Sequence, residues 1–162
     1  MNESSRTGGS IKEWIDTYSD MLLRIAYTHM NNRHDAEDLV QETFIQLYIK
    51  GPDFETEIHR KAWLIKVCIN LCRNRLKTAW FRKSVPLEDN AFSFTPEENA
   101  VMDAVKRLSL NDRTVLVLYY YEGYSLSEMS KMLKCRESTL ASRLHRARGR
   151  LKVELKEDFD YA

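Results

Sequence analysis

Arginine, serine and threonine recur in the segment of residues 138–152 at a spacing that suits the recognition of duplex DNA. At 3.6 residues per turn they share one side of a helix. A guanidinium can bind a guanine edge through two hydrogen bonds, while hydroxyls and further arginines hold phosphates. The segment therefore has the chemistry of a recognition helix in the major groove, although a solvated basic surface helix is the simpler alternative. The residues of this face are Thr139, Ser142, Arg143, Arg146 and Arg150.

A helix-turn-helix would position that face against DNA. Ser125 stands three residues before Glu128, which is the capping-box spacing at the start of a helix. Residues 134–137 are expected to form a tight polar turn, and the second helix is expected to begin at about Ser138. Each helix has an apolar stripe that can pack inward. The stripes are Leu126, Met129, Met132 and Leu133 in the first helix, and Leu140, Leu144, Ala147 and Leu151 in the second.

Composition and charge pattern set the wider frame. The 162 residues include only five glycines and three prolines, which favours an all-α fold of one mid-sized or two small domains. The formal net charge of +1 conceals an alternation of acidic and basic blocks. Residues 35–57 carry seven acids and one base, residues 58–83 carry eight bases and no acid, and residues 131–152 carry eight bases against one acid. Two basic blocks predict two nucleic-acid contacts, with other faces left for a different partner.

Apolar periodicity and helix-boundary residues predict two small helical domains joined by a flexible linker. Mixed polarity, Pro86 and the lack of a clear period indicate the linker at residues 78–94. The expected organisation is an N-terminal domain at 1–77, the linker, a helix-turn-helix domain at 95–155 and an acidic tail at 156–162. Before the helix-turn-helix, helices are expected at about 11–30, 35–50, 59–77, 96–108 and 110–121.

Several classes of function are disfavoured. No segment approaches the roughly 18 apolar residues of a membrane span, and the N-terminus has no apolar signal core, so we expect a cytoplasmic protein. Cys68 and Cys72 are one helical turn apart but lack a second ligand pair, so reduced, buried side chains are expected. His29, His34 and the acids of residues 35–38 lack the Glu-x-x-His repeat of two-metal bundles. Without a phosphate loop or nucleophile elbow, we expect neither an enzyme, nor a metal, nor a cofactor.

Three segments together resemble the extracytoplasmic-function (ECF) sigma factors, the smallest promoter-specificity subunits of bacterial RNA polymerase. They are DAEDLVQETFIQLY at 35–48, WLIKVCINLCRNRLK at 63–77, and the stretch that begins LSLNDRTVL and ends RARGRLK at 108–152. The resemblance implies a region 2 domain followed by a region 4 domain, with core RNA polymerase and promoter DNA as partners. An anti-sigma factor is a further expectation for the family. The alternative is a stand-alone helix-turn-helix regulator, whose N-terminal half would serve dimerisation or sensing.

In that family, the helix that resembles DAEDLVQETF docks on the clamp helices of the largest polymerase subunit. Exposed isoleucines beside carboxylates and an amide suit a protein partner, because apolar area supplies affinity and charges set the register. An ordinary solvated acidic face is the alternative. Core-facing positions are expected at Leu39, Val40, Thr43 and Leu47, and polymerase-binding positions at Asp38, Gln41, Glu42, Ile45 and Ile49.

Residues 51–58 and the helix after them resemble the part of region 2 that melts and reads the −10 promoter element. Unpaired bases need stacking surfaces and polar edges, and their backbone needs cations. Trp63 is expected either in the core or as a stacking wall. The candidates for stacking and base edges are Phe54, Asn70 and Asn74, and those for the backbone are Arg60, Lys61, Lys66, Arg73, Arg75 and Lys77.

Region 4 is expected to read the −35 element as duplex DNA. The common family pattern at the recognition helix has a glycine and a lysine where this chain has Ser138 and Ala141. The alanine removes one phosphate contact, so a weaker or shifted −35 preference is expected. The −35 candidates are Arg136, Ser138, Thr139, Ser142, Arg143, Arg146 and Arg150.

Overall fold

A computed structural model describes residues 9–30, 32–80 and 95–160 of the chain. Within these ranges the regular structure is helical, with no β-strand. The chain divides into two compact units, Met1–Leu87 and Glu88–Ala162. The helices are α1 (Ile11–His29), α2 (Arg33–Lys50), α3 (Glu57–Trp80), α4 (Pro96–Lys106), α5 (Leu110–Leu116) with a π-helical turn at Val117–Tyr121, α6 (Leu126–Leu133) and α7 (Glu137–Asp160).

The first unit is a bundle in which each of α1, α2 and α3 packs on the other two. Its core consists of fully buried aliphatic side chains from all three helices. The residues predicted to turn inward on α2 are buried as expected, Leu39, Val40, Thr43 and Leu47. Other core residues are Leu22, Ile25, Leu64, Ile65 and Ile69.

Local signals fix both ends of α2. The helix begins at Arg33, two residues before the predicted start, because the Asn32 side chain accepts a hydrogen bond from the Asp35 amide at 2.8 Å. It ends at Lys50, as predicted. A Cβ atom on Gly51 would lie 2.3 Å from the carbonyl oxygen of Leu47, so this close backbone approach requires glycine.

The second unit packs α4, α5 and α6 against α7. Helix α4 begins at Pro96 after Thr95, as the sequence predicts. The predicted single helix at 110–121 is wrong in detail, because the α-helical pattern ends at Leu116 and a π-helical turn follows. The buried core of the unit includes Ala104, Val115, Leu118, Met129, Leu140, Leu144 and Ala147.

The helix-turn-helix consists of α6, a three-residue turn and α7. The predicted capping box is present: Ser125 Oγ accepts from the Glu128 amide at 3.1 Å, and the Ser125 amide donates to Glu128 Oε1 at 3.0 Å. These hydrogen bonds lower the pKa of the Glu128 carboxyl. The turn begins with Lys134 in the left-handed conformation at φ 52°, which most side chains avoid.

Three further predicted boundaries need correction. Helix α3 begins at Glu57 rather than at 59, and Thr56 Oγ1 accepts a hydrogen bond from the His59 amide at 3.2 Å at this end. The helix continues to Trp80, into the stretch assigned to the linker. Helix α7 runs to Asp160, so residues 156–160 of the predicted tail are helical. Residues 81–94, most of the predicted linker, lie outside the described part of the chain.

Candidate nucleic-acid and protein interfaces

Helix α7 separates an apolar side from a polar side. Leu140, Leu144 and Ala147 are buried, and Leu151 is half-buried, so the predicted stripe does pack inward. The predicted −35 residues lie away from this stripe. Arg143, at the edge of the stripe, is half-buried. The exposed members of the set are Arg136, Ser138, Thr139, Ser142, Arg146 and Arg150.

Arg150 differs from the other members of this set because it already has a partner within the unit. One of its terminal nitrogens, Nη1, lies 2.9 Å from Oδ2 of Asp112, a residue of α5 that is 5% exposed. A nearly buried carboxylate needs such a partner. Arg150 therefore helps to hold α7 on α5, while its side chain remains 60% exposed.

A second ion pair contacts α7 one helical turn after Arg150. Arg107 Nε lies 2.6 Å from Oε2 of Glu154. Lys106, one residue earlier, is half-buried, and this burial lowers its pKa to about 8. Two ion pairs, one helical turn apart, thus fix the second half of α7 to residues outside the helix-turn-helix itself.

Polar residues of α3 form a second candidate surface, in the first unit. Lys66, Asn70, Arg73, Asn74 and Lys77 recur at helical spacing, and each is exposed or half-buried. Two amides, which can bond base edges, are thus interleaved with three cations, which can hold the backbone of an unpaired strand. We call these five residues the α3 stripe.

Three of the predicted −10 cations do not belong to the α3 stripe. Lys61 lies about 140° round the helix from Lys66, at 100° per residue. Arg75 is half-buried, with Nη1 3.5 Å from Asp35 Oδ1 and 3.8 Å from Asp38 Oδ2, so it links α3 to α2. Arg60 is the third.

Arg60 requires the largest correction, because its side chain is only 1% exposed. The guanidinium lies over the rings of Trp14 and Phe54 and pairs with Glu57 at 2.5 Å. A phosphate cannot reach it in this conformation, so the predicted backbone contact does not fit the structure. The sequence shows a basic block but not which of its cations are buried.

Phe54 also needs correction as a stacking residue. Its ring is buried, 6% exposed, and packs edge-on against Trp63 at 5.8 Å between centroids. Trp63 is half-buried, so it packs on the loop while part of its surface stays accessible. The structure therefore presents the accessible part of Trp63, rather than Phe54, as the stacking surface beside the loop.

The predicted polymerase-binding residues share one accessible side of α2. Ile45 and Ile49 are 55% and 66% exposed, Gln41 is exposed, and Asp38 and Glu42 are half-buried. Tyr48, 54% exposed, lies beside the two isoleucines and was missed. Its position three residues after Ile45 was the signal that could have found it.

The buried histidine and cysteines of the first unit contact neighbouring groups within that unit. His29 is fully buried, with Nδ1 2.7 Å from the Ile25 carbonyl oxygen. Cys68 and Cys72 are buried and form no disulfide, and the hydrogen bond with Cys68, together with burial, raises the pKa of the Cys72 thiol. Among the described residues no cluster of three potential metal ligands occurs, and no helix there is long and apolar enough to cross a membrane.

Comparison with known proteins agrees with this arrangement. Residues 14–82 match the family Sigma-70 region 2, and residues 98–151 match Sigma-70, region 4. The ECF RNA polymerase sigma factor SigW of Bacillus subtilis is 26% identical over 88% of this chain and 87% of its own length. The RNA polymerase sigma-E factor of Streptomyces coelicolor is 32% identical over 89% of this chain and 85% of its own.

A solved structure has the same fold. It is the sigma factor RpoE in complex with the anti-sigma factor NepR, from Bartonella quintana, with a TM-score of 0.74 and 27% identity over 90% of this chain and 96% of that one. The region 2 match lies within the first unit and the region 4 match within the second. The chain therefore belongs to the ECF sigma factors of bacterial RNA polymerase.

Proposed function

We propose that the first unit docks core polymerase and engages the opened −10 element, and that the second unit reads the −35 element as duplex DNA. The observation that carries this proposal is the difference between the two basic surfaces. The α3 stripe mixes amides with cations, while the polar side of α7 presents arginines and hydroxyls on the second helix of a helix-turn-helix. The first combination suits unpaired bases and the second suits a major groove.

The polymerase contact is assigned to α2. Its exposed side combines apolar area from Ile45, Tyr48 and Ile49 with polar groups from Gln41 and Glu42. Exposed isoleucines and a tyrosine in one cluster suit the apolar centre of a protein interface, and the polar groups suit its rim. Asp38 lies at the edge of this surface, where it also pairs with Arg75.

Residues are assigned to DNA according to their accessibility. The α3 stripe and the accessible part of Trp63 serve the −10 element. Arg143 and Arg146 are the candidates for base edges at −35, while the hydroxyl residues of α7 hold phosphates. Arg150 contributes to DNA only through donors that its pair with Asp112 leaves available.

The domain limits and partners follow from the same assignment. Polymerase docking and −10 recognition belong to the first unit, up to the end of α3 at Trp80, and −35 recognition to residues 95–160, which include the whole of α7. Core RNA polymerase and promoter DNA are the expected partners, and the complex of RpoE with NepR supports an anti-sigma factor as a third. The protein acts in the cytoplasm, as a transcription initiation factor rather than an enzyme.

A stand-alone DNA-binding regulator is the competing function. It would bind a palindromic duplex site without polymerase. A sigma factor instead selects promoters as part of the holoenzyme. Selection from a randomised promoter library, with and without purified core polymerase, separates the two.

The expected result of that selection is enrichment of paired −35 and −10 motifs only when core polymerase is present, together with transcripts that start at a fixed distance downstream. A palindromic motif enriched by the free protein, at equal affinity with or without polymerase, would contradict the proposed function. Holoenzyme containing a different sigma factor is the control for motifs contributed by polymerase itself.

A further inference from the structure

Arg60 occupies the centre of a contact network that joins three parts of the first unit. Its guanidinium carbon lies 4.3 Å from the ring centroid of Trp14 on α1 and 5.5 Å from that of Phe54 in the loop before α3. Nη1 lies 2.5 Å from Oε1 of Glu57, in the first turn of α3. The side chain is 1% exposed. A single cation therefore contacts α1, the loop and α3.

A tyrosine extends this network along α1. The Tyr18 hydroxyl donates a hydrogen bond to the second oxygen of Glu57, so the Glu57 carboxylate connects α1 to the Arg60 guanidinium. Burial, with the Glu57 contact, raises the pKa of Tyr18 to about 12, so the hydroxyl keeps its proton at neutral pH. On the other side Phe54 is held between Arg60 and Trp63. We call Trp14, Tyr18, Phe54, Glu57 and Arg60 the Arg60 network.

An arginine is a costly means of filling this space if stability is the only requirement. Arg60 loses its hydration on burial, whereas its partner Glu57 is 58% exposed, so solvent weakens the attraction that offsets this cost. Apolar side chains of similar volume often do as well or better in such a position. What a planar guanidinium adds is direction, because it stacks on rings and forms hydrogen bonds in a fixed fork. The network therefore favours one loop geometry over others.

The loop that this geometry fixes leads directly into α3, the helix that carries the α3 stripe. Phe54 is the one buried side chain of residues 52–56, while its neighbours Pro52, Asp53, Glu55 and Thr56 are exposed. A surface loop anchored at a single buried residue depends on that anchor for its shape. Contacts to unpaired bases need their groups held within about 0.5 Å of the productive position.

We propose that Arg60 is a positioning residue for −10 recognition, which holds loop 51–56 through Phe54 and does not itself contact DNA. This inference rests on the proposed function of the first unit. It replaces the phosphate contact that the basic block suggested for Arg60. A purely structural residue would affect stability alone, whereas a positioning residue also affects strand binding by the folded protein, without the loss of a phosphate contact.

The first test needs neither DNA nor polymerase. Backbone ¹⁵N order parameters are measured by NMR on the full chain and on Arg60→Met, which keeps the length of the side chain but removes the charge. We expect values for residues 53–56 to fall from about 0.85 to below about 0.6, while those of α2 are unchanged. Unaltered order in the loop of a folded Arg60→Met protein would overturn the proposal, whatever the function of the chain.

The second test measures holoenzyme binding to a dye-labelled single strand that carries the −10 segment of the promoter enriched in the selection above. Arg60→Met is expected to weaken binding about tenfold with the same dependence of log K on log salt, because no phosphate contact is lost. Lys66→Met is the matched control and should reduce the slope by about 0.7. The same reduction in Arg60→Met would show that the guanidinium leaves the core to contact phosphate, and would overturn the proposal.

Tyr18→Phe serves as a second variant in case Arg60→Met does not fold. It removes one hydroxyl on α1, outside the proposed DNA surface, and no charge. We expect it to lower the loop order parameters and strand affinity in the same direction, by less, with the salt slope unchanged. Wild-type values of both quantities in Tyr18→Phe would overturn the network as a positioning device. If the wild-type holoenzyme showed no preference for the −10 strand, the proposed function would fail while the NMR result would still decide the role of Arg60.

Discussion

At the scale of single residues, some charged side chains are accessible to a partner, and others make contacts within the folded protein. Arg146 and Arg143 keep accessible surface on α7, whereas Arg150 binds Asp112 and Arg60 lies in the core. A basic block in the sequence does not distinguish these cases. The partner of Arg150 comes from α5 and the rings over Arg60 come from α1 and a loop, so only the tertiary structure reveals them.

Arg143 provides a direct test of duplex reading. Arg143→Ala should cost about 1–3 kcal/mol at a matched −35 site, and should flatten the preference at one base position, if the guanidinium binds a base edge. Binding of holoenzyme to a panel of −35 variants measures both effects. Arg148→Ala is the control, because it removes the same charge from the opposite flank of the apolar stripe. Equal losses at every base variant would identify Arg143 as a phosphate contact only.

Lys106 predicts an unusual dependence of stability on pH. Burial lowers its folded-state pKa to about 8, below the value of about 10.4 in an unfolded chain. Between these two values the unfolded state binds more protons, so the free energy of unfolding should rise with pH. Partial exposure limits the size of the effect.

The test for Lys106 is urea unfolding at pH 7.5, 8.5 and 9.5, compared between wild type and Lys106→Met. The difference in unfolding free energy between the two proteins should shrink as pH rises. Folding requires the wild-type lysine either to bury its charge or to release its proton, and releasing the proton costs less at higher pH. Comparison at each pH removes the contribution of other titrating groups. Parallel pH profiles for the two proteins would contradict the lowered pKa.

At the scale of elements, predictions succeeded where short-range chemistry decides the outcome. The capping box at Ser125, the Thr95–Pro96 start of α4 and the apolar stripe of α7 all occur as the sequence indicates. Helix ends were less accurate, since neither residues 78–80 after α3's predicted end nor residues 156–160 of α7 contain the glycine or proline that would indicate a stop. The π-helical turn at Val117–Tyr121 was not predicted, because a change in hydrogen-bond partner leaves no mark in the apolar run that contains it.

The left-handed residue in the helix-turn-helix predicts a stabilising substitution. Lys134 has φ 52° at the C-terminal end of α6, and glycine adopts this conformation without steric cost. Lys134→Gly should therefore raise the unfolding free energy by about 1 kcal/mol. Lys131→Gly, in the exposed last turn of α6, should lower it by about the same amount. A decrease for both variants in denaturant titrations would show that Lys134 makes a contact worth more than its backbone strain.

The exposed side of α2 predicts loss of polymerase binding without loss of structure. Gln41→Ala combined with Glu42→Lys should weaken binding of core polymerase at least about tenfold, since it removes an amide and reverses a charge at the proposed interface. Helical content measured by circular dichroism should be unchanged. Asp20→Lys reverses an exposed charge on α1 and is the control. Normal holoenzyme assembly by the folded double variant would contradict the assignment of α2 to polymerase binding.

At the scale of the whole molecule, two independently packed units carry two different basic surfaces. The all-α class, the two units and the helix-turn-helix followed from periodicity and charge blocks, and the family followed from three quoted segments. Which site residues are buried and which are accessible could not be predicted in the same way. Whether Phe54 or Trp63 offers its ring to solvent depends on how the loop folds back on α3, and alternation of polar and apolar residues does not encode that choice.

The division of labour between the two units is the central claim, and permanganate footprinting of holoenzyme on intact and premelted promoters tests it most directly. Asn74→Ala, in the α3 stripe, should reduce open-complex formation more than initial closed binding. Arg146→Ala, on α7, should weaken closed binding and gain nothing from premelting, because its contact is with duplex DNA. Equal melting defects in both variants, or rescue of Arg146→Ala alone by a premelted template, would contradict the account.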